Sequence, residues 1–128
     1  MKLLYWTPRI LSIIFILFLA LFSLDVITPT ATTKEIIIGL LIHNIPVFIL
    51  TTILLISWKH EIVGTIFFIF AGSLYLINIL ITMIRTTSFE WFYLSWILLI
   101  SGPAFLIGIL FLINWKKKRT NKKLLFKK

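Results

Sequence analysis

Apolar residues fill four long blocks of this chain, and all but one of its charged residues stand at the block ends or beyond them. The blocks cover about residues 10–27, 36–58, 62–84 and 91–115. Each approaches the ~20 residues with which a helix crosses about 30 Å of hydrocarbon. Barrel strands alternate polar and apolar residues, whereas these blocks are continuous. The pattern predicts an all-α, polytopic membrane protein, a bundle of four transmembrane helices with short loops.

The composition supports burial in a bilayer. Hydrophobic residues make up 60% of the 128 residues, and the mean hydropathy is +1.09. Such a chain has too little polar surface to coat a core in water. Lys2 and Arg9 before an apolar block also suit a signal peptide, but the block is too long and lacks a cleavage pattern, so a retained span is expected. The chain has no cysteine, which excludes disulfides and thiolate metal ligands.

The basic residues predict the orientation. Of thirteen Lys and Arg residues, only Lys34 and Arg85 lie on one side of the predicted bundle, so both termini are expected to be cytoplasmic.

Residues 1–115 form the predicted transmembrane domain, and 116–128 form a basic tail. Anionic lipid headgroups attract such residues by about 1 kcal/mol each, so the bilayer is the expected partner. The predicted headgroup-binding residues are Lys116, Lys117, Lys118, Arg119, Lys122, Lys123, Lys127 and Lys128. The alternative is a tail that only determines topology. Nucleic acid is not expected, because no binding fold accompanies the charge.

Three acidic residues stand where spans begin, namely Glu35, Glu61 and Glu90. The free backbone amides at the start of a helix stabilise a negative charge there. A structural role is expected for these three. Thr32 and Glu35 also predict a capping box, and Thr7 before Pro8 predicts the cap and first turn of the first helix.

Residues 59–61 alone separate the second and third spans, which predicts an antiparallel pair. The facing residues would be His43 with Asn78, Leu50 with Ala71, and Ser57 with Gly64. Kinks are expected beside Pro46 and at residues 101–103. Ala104 and Gly108 offer a small-residue face, for packing within the bundle or for dimerisation.

Six polar residues are predicted to share the half of the bundle away from the termini, where an ionisable residue is a candidate for function: Asp25, His43, Asn44, Tyr75, Asn78 and Ser101. Asp25 with His43 could relay protons or hold a cation. In the alternative, structural interpretation, Asp25 reaches headgroup water or pairs with Lys34, and His43 bonds Asn78.

Enzymatic chemistry is not expected. The best catalytic set is Asp25, His43 and Ser101, whose predicted depths differ too much for a hydrogen-bonded triad. No metal site or cofactor is expected, since ligand clusters and phosphate or dinucleotide motifs are missing from the sequence. We therefore expect a structural, accessory or interaction protein, as a homo-oligomer or with a membrane protein partner. The alternative is a small ion- or proton-translocating subunit that uses Asp25 and His43.

Several short runs resemble a known family: residues 7–11, 24–26, 43–46, 58–61, 100–103 and 105–108. They are similar to small prokaryotic four-helix membrane proteins known only as a domain of unknown function. A Trp is usual in that family where His60 stands. The resemblance covers nearly the whole chain and implies the same architecture in a prokaryotic inner membrane. It assigns no functional residue in this chain.

Overall fold

Helices account for most of the chain in a computed structural model, which describes residues 2–86 and 90–125. The α-helices are α1 Lys2–Phe22, α2 Thr33–His43, α3 Ile45–Ser57, α4 Glu61–Thr86, α5 Trp91–Trp96 and α6 Gly102–Leu125. A 3₁₀ turn, Ser23–Val26, follows α1, and a π-helical segment, Ile97–Ser101, joins α5 to α6. The described residues contain no strand.

These elements make four spans that are each long and apolar enough to cross a membrane: Lys2–Val26, Thr33–Ser57, Glu61–Thr86 and Trp91–Leu125. The predicted all-α class with four such helices is confirmed. The last span is the longest, at 35 residues, because α6 continues through the basic residues to Leu125. Lys127 and Lys128, two of the predicted headgroup-binding residues, lie outside the described residues.

Two predicted helix starts have different outcomes. The capping box before α2 is confirmed, since Thr32 Oγ1 accepts the Glu35 backbone N–H and Glu35 Oε2 accepts the Thr32 backbone N–H. The predicted start of the first helix at Thr7 is wrong. The helix already includes Lys2, and Pro8 lies inside it.

The buried core lies between α1, α3, α4 and α6 and consists of Phe15, Ile16, Leu50, Ile53, Leu54, Phe68, Ala104, Ile107 and Phe111. Close packing joins α4 to α6 at glycines. A Cβ on Gly108 would lie 2.7 Å from Ile69 Cγ1 and 3.3 Å from the Thr65 carbonyl oxygen, and one on Gly64 would lie 2.8 Å from Phe111. The predicted small-residue face of Ala104 and Gly108 therefore packs within the bundle.

The two ends of the bundle differ in packing. We call the end with Arg9, Glu61 and Lys118 the basic end and the opposite one the distal end. The buried residues of α4 all lie between Glu61 and Gly72, in the half next to the basic end. Neither α2 nor α5 has a buried residue. The core thus belongs mainly to the basic half, and the distal half is open.

The second span bends at Asn44, two residues before Pro46, and this bend ends the predicted contact between the second and third spans. Ser57 meets Gly64 as predicted, since a Cβ on Gly64 would lie 2.8 Å from Ser57 Oγ. Beyond the bend, α2 packs against the 3₁₀ turn, where a Cβ on Gly39 would overlap Val26. The predicted bond of His43 to Asn78 is therefore not formed among the described residues.

Replacing Gly108 by alanine should lower the free energy of unfolding by about 1–3 kcal/mol, because the added methyl meets backbone atoms of α4 that cannot rotate away. Gly102→Ala is the matched control, since a Cβ there meets nothing within 4 Å. Reversible unfolding in mixed micelles measures both. Equal stability of the two variants would contradict the close α4–α6 contact.

Candidate functional site

Most of the buried polar side chains form one group at the basic end, which we call the basic-end cluster: Arg9, Ser12, Ser57, Glu61, Thr65 and Asn114. They come from all four spans. Arg9, at 1% exposure, and Glu61, at 3%, are the charged members. Buried charges of opposite sign are stable only when paired and hydrogen-bonded, so the contacts of these two side chains organise the site.

Arg9 contacts every span. Its Nη1 donates to the Tyr5 carbonyl of its own helix, and its Nη2 lies 3.3 Å from the Trp58 carbonyl oxygen and 3.4 Å from Glu61 Oε1. The guanidinium carbon also lies 3.5 Å from the centre of the Tyr5 ring and 5.8 Å from that of Phe111. Aromatic faces attract a cation, most strongly where water is excluded. Arg9 Nε has no hydrogen-bond partner among the described residues.

Glu61 is the first residue of α4, and cations approach it from two helices. Arg9 pairs with it inside the bundle, while Lys118 Nζ of α6 lies 3.9 Å from the same Oε1. The amino end of α4 adds favourable free backbone amides. The predicted structural role of a helix-start glutamate thus gains a second part, the neutralisation of a buried arginine.

Pro8 explains why Asn114 is buried. A proline has no N–H, so the carbonyl four residues earlier, that of Leu4, loses its partner within the helix. Asn114 Nδ2 of α6 donates to this carbonyl oxygen at 2.7 Å. This bond from another helix makes a proline tolerable inside α1 and accounts for the wrong helix start predicted at Thr7.

The hydroxyl groups of the cluster are bonded to helix carbonyls. Ser12 Oγ donates to Pro8 at 2.6 Å, Ser57 Oγ to Ile53 at 2.6 Å, and Thr65 Oγ1 to Glu61 at 3.3 Å. None of them is hydrogen-bonded to a histidine in the described structure. In chemical terms, these contacts give hydrogen-bond partners to polar groups that lie inside an apolar bundle.

The six residues predicted to share a polar site do not form one hydrogen-bonded group in the described part of the chain. His43 Nδ1 bonds the Gly39 carbonyl at 3.0 Å, and Asn44 Nδ2 donates to that of Leu40 at 2.9 Å, both within α2 and its cap. Ser101 Oγ donates to Gly72 of α4 at 3.0 Å. Asp25 is exposed in the 3₁₀ turn and has no ion pair with Lys34 or any other described residue.

Tyr75 and Asn78, the remaining two predicted residues, belong to the open distal half of α4. Tyr75 is half-buried and Asn78 is exposed. Both line a shallow groove of about 460 Å³ between α3 and α4. Asp25, His43 and Ser101, the best catalytic set that the sequence offers, are not hydrogen-bonded to one another. The described residues hold no group of three potential metal ligands.

The predicted headgroup-binding residues that the structure describes, from Lys116 to Lys123, are exposed along the last turns of α6. Arg119 lies over the ring of Trp115, with 5.2 Å between the guanidinium carbon and the ring centre. The helix therefore presents these cations from a helical backbone next to the basic-end cluster.

The Arg9–Glu61 pair is the feature that sequence reasoning missed. Charge and topology placed both residues at the same end of the bundle, and that coincidence was the available signal. Their contact also requires that α1 and α4 are each rotated about the helix axis so that the two side chains face each other. Neither residue on its own reveals that rotation.

Comparison with known protein families gives a match for this chain. The model of a family described as a domain of unknown function (DUF7670) matches residues 1–123. No curated protein and no solved structure matches the chain.

Neutralising Glu61 alone should strongly destabilise the bundle, because Arg9 is left as an unpaired buried charge. Breaking a buried pair in this way costs about 3–5 kcal/mol. We expect that loss for Glu61→Gln by reversible unfolding in micelles, and less than about 1 kcal/mol for Lys118→Gln, whose side chain is 66% exposed. The double variant R9M/E61M should recover much of the loss, since both charges are gone. A double variant as unstable as Glu61→Gln would contradict this account.

Asn114→Ala should cost about 1–3 kcal/mol by leaving the Leu4 carbonyl unsatisfied. In a Pro8→Ala background the helix recovers its own N–H donor, so the same change should cost much less. A double-mutant cycle on the unfolding free energy measures this coupling. Additive effects of the two substitutions would refute the link between Pro8 and Asn114.

Proposed function

The chain belongs to the DUF7670 family, a domain of unknown function, and from that premise we propose that it is a non-enzymatic, multi-pass membrane protein with a structural, accessory or interaction role. The observation that supports the proposal is that the buried polar side chains make their contacts within the bundle. In the basic-end cluster, Arg9 pairs with Glu61, Asn114 satisfies a carbonyl freed by Pro8, and the hydroxyls bond helix carbonyls. The first two contacts join different helices, and the hydroxyl bonds lie within single helices.

The uneven packing of the two halves supports an interaction role. Four spans meet in a core at the basic half, while α2 and the distal half of α4 have no buried residue. Helices associate in lipid through close packing and interhelical hydrogen bonds, and here such contacts are concentrated at one end. The distal half is thus available to other membrane components.

We further propose a cell inner membrane as the location, with the basic end and both termini in the cytoplasm. The excess of Lys and Arg at that end supports this orientation. Cations on the last turns of α6 would then lie at the level of anionic headgroups, which attract each by about 1 kcal/mol. Headgroup binding by Lys116, Lys117, Lys118, Arg119, Lys122 and Lys123 is part of the proposal.

A flux assay separates this role from ion or proton translocation. We expect purified protein in liposomes to conduct no more protons or monovalent cations than empty liposomes do. Asp25→Asn and His43→Ala should leave that baseline unchanged. His43 bonds its own helix and Asp25 is exposed, so their effects on stability should also be small.

Flux that disappears in both Asp25→Asn and His43→Ala would overturn the proposal in favour of a translocating subunit. Lys59→Gln, a substitution of an exposed residue in the loop at the basic end, is the matched control. It should change neither flux nor stability.

A further inference from the structure

A row of exposed residues follows one side of α4 in the distal half. Leu74, Asn78, Ile81 and Arg85, which we call the distal α4 face, line one shallow groove. With Ala71 before them they repeat at spacings of three and four residues, the heptad spacing by which two helices pack along one seam. Asn78 occupies a central position of that seam.

The Asn78 amide has no hydrogen-bond partner among the described residues. Asn44 shows the contrast, since its Nδ2 donates to a carbonyl of its own helix. Asn78 precedes Arg85 by seven residues, about 10 Å along the axis, so in a spanning α4 it lies within hydrocarbon. An amide there has no water to bond and is stabilised by a partner on another helix.

The bend of the second span explains why no residue that the structure describes covers this amide. A straight second span would carry α2 along α4 and place His43 near Asn78. Instead the span turns at Asn44, and α2 packs on the 3₁₀ turn at Gly39. An open space remains beside the distal half of α4.

We propose that the distal α4 face binds the same face of a second copy of this chain, giving a two-fold dimer with parallel α4 helices. The asparagine amide carries both donors and an acceptor, so two copies can satisfy each other across the axis. A single asparagine at a seam position also specifies register and a two-stranded state. The inference rests on the proposed interaction role and names its partner.

The rest of the face is compatible with this pairing. Leu74 and Ile81 are 51% and 44% exposed and would pack against their copies on either side of Asn78. The two Arg85 side chains would lie at the membrane boundary, where long basic side chains extend to the headgroups and water weakens their repulsion. An isologous contact of this kind closes on itself and does not propagate.

Single-cysteine crosslinking in the cysteine-free full chain tests the dimer. Ile81→Cys lies on the seam, and Leu80→Cys, with a nearly equal exposure of 45%, points to another side of α4. In phosphatidylcholine–phosphatidylglycerol vesicles at high lipid excess, oxidation should link Ile81→Cys chains into dimers and leave Leu80→Cys monomeric. A disulfide forms only when the Cα atoms approach to about 4.4–6.8 Å.

The role of the amide is tested in the Ile81→Cys background. Asn78→Leu should weaken dimerisation about 5- to 30-fold, the equivalent of an interhelical bond of 1–2 kcal/mol. Asn78→Gln should retain the dimer, and Asn44→Leu should leave the dimerisation constant unchanged. An unchanged melting temperature of Asn78→Leu in micelles excludes a loss of fold.

Crosslinking of Ile81→Cys no greater than that of Leu80→Cys would overturn the inference, as would crosslinking that Asn78→Leu does not reduce. A different protein crosslinked at Ile81→Cys in native membranes would also overturn it, while leaving the proposed interaction role in place. Proton or cation flux dependent on Asp25 and His43 would instead overturn the proposed function.

Discussion

The contacts of one buried arginine relate the four spans to each other. Arg9 of α1 reaches the last turn of α3 through the Trp58 carbonyl, the start of α4 through Glu61, and α6 through the ring of Phe111. A guanidinium in an apolar interior is stable only if its charge and most of its donors are compensated, so each neighbouring helix must present a suitable group at that point. This requirement determines the rotations and relative heights of the helices at the basic end.

The remaining polar contacts follow from the same scarcity of water. Pro8 frees a carbonyl, and Asn114 of another helix satisfies it; Ser101 likewise donates to Gly72 across the α4–α6 contact. Glycines then let α4 and α6 approach closely enough for such bonds to form. These hydrogen bonds and glycine contacts lie in the basic half and middle of the bundle. The distal half therefore has few interhelical contacts of its own.

That asymmetry connects the fold to the proposed role. A bundle closed at one end and open at the other has a stable anchor and a separate surface for association. Asn78 is the distinctive residue of the open part, since its amide pairs with no described residue and at that depth favours a partner helix. The basic end of α6 offers cations instead, which suit anionic headgroups. Helix binding and lipid binding would thus use opposite ends of the molecule.

By itself, the sequence determined four apolar helices, the capping box at Thr32 and the contact of Ser57 with Gly64. These depend on local length, polarity and short loops, which a linear pattern records. Only the tertiary structure decided that Arg9 meets Glu61, that Asn114 makes Pro8 tolerable inside α1, and that His43 and Asn78 separate. Such contacts depend on how whole helices rotate and bend. With about 3.6 residues per turn, a bend like that at Asn44 redirects every side chain beyond it.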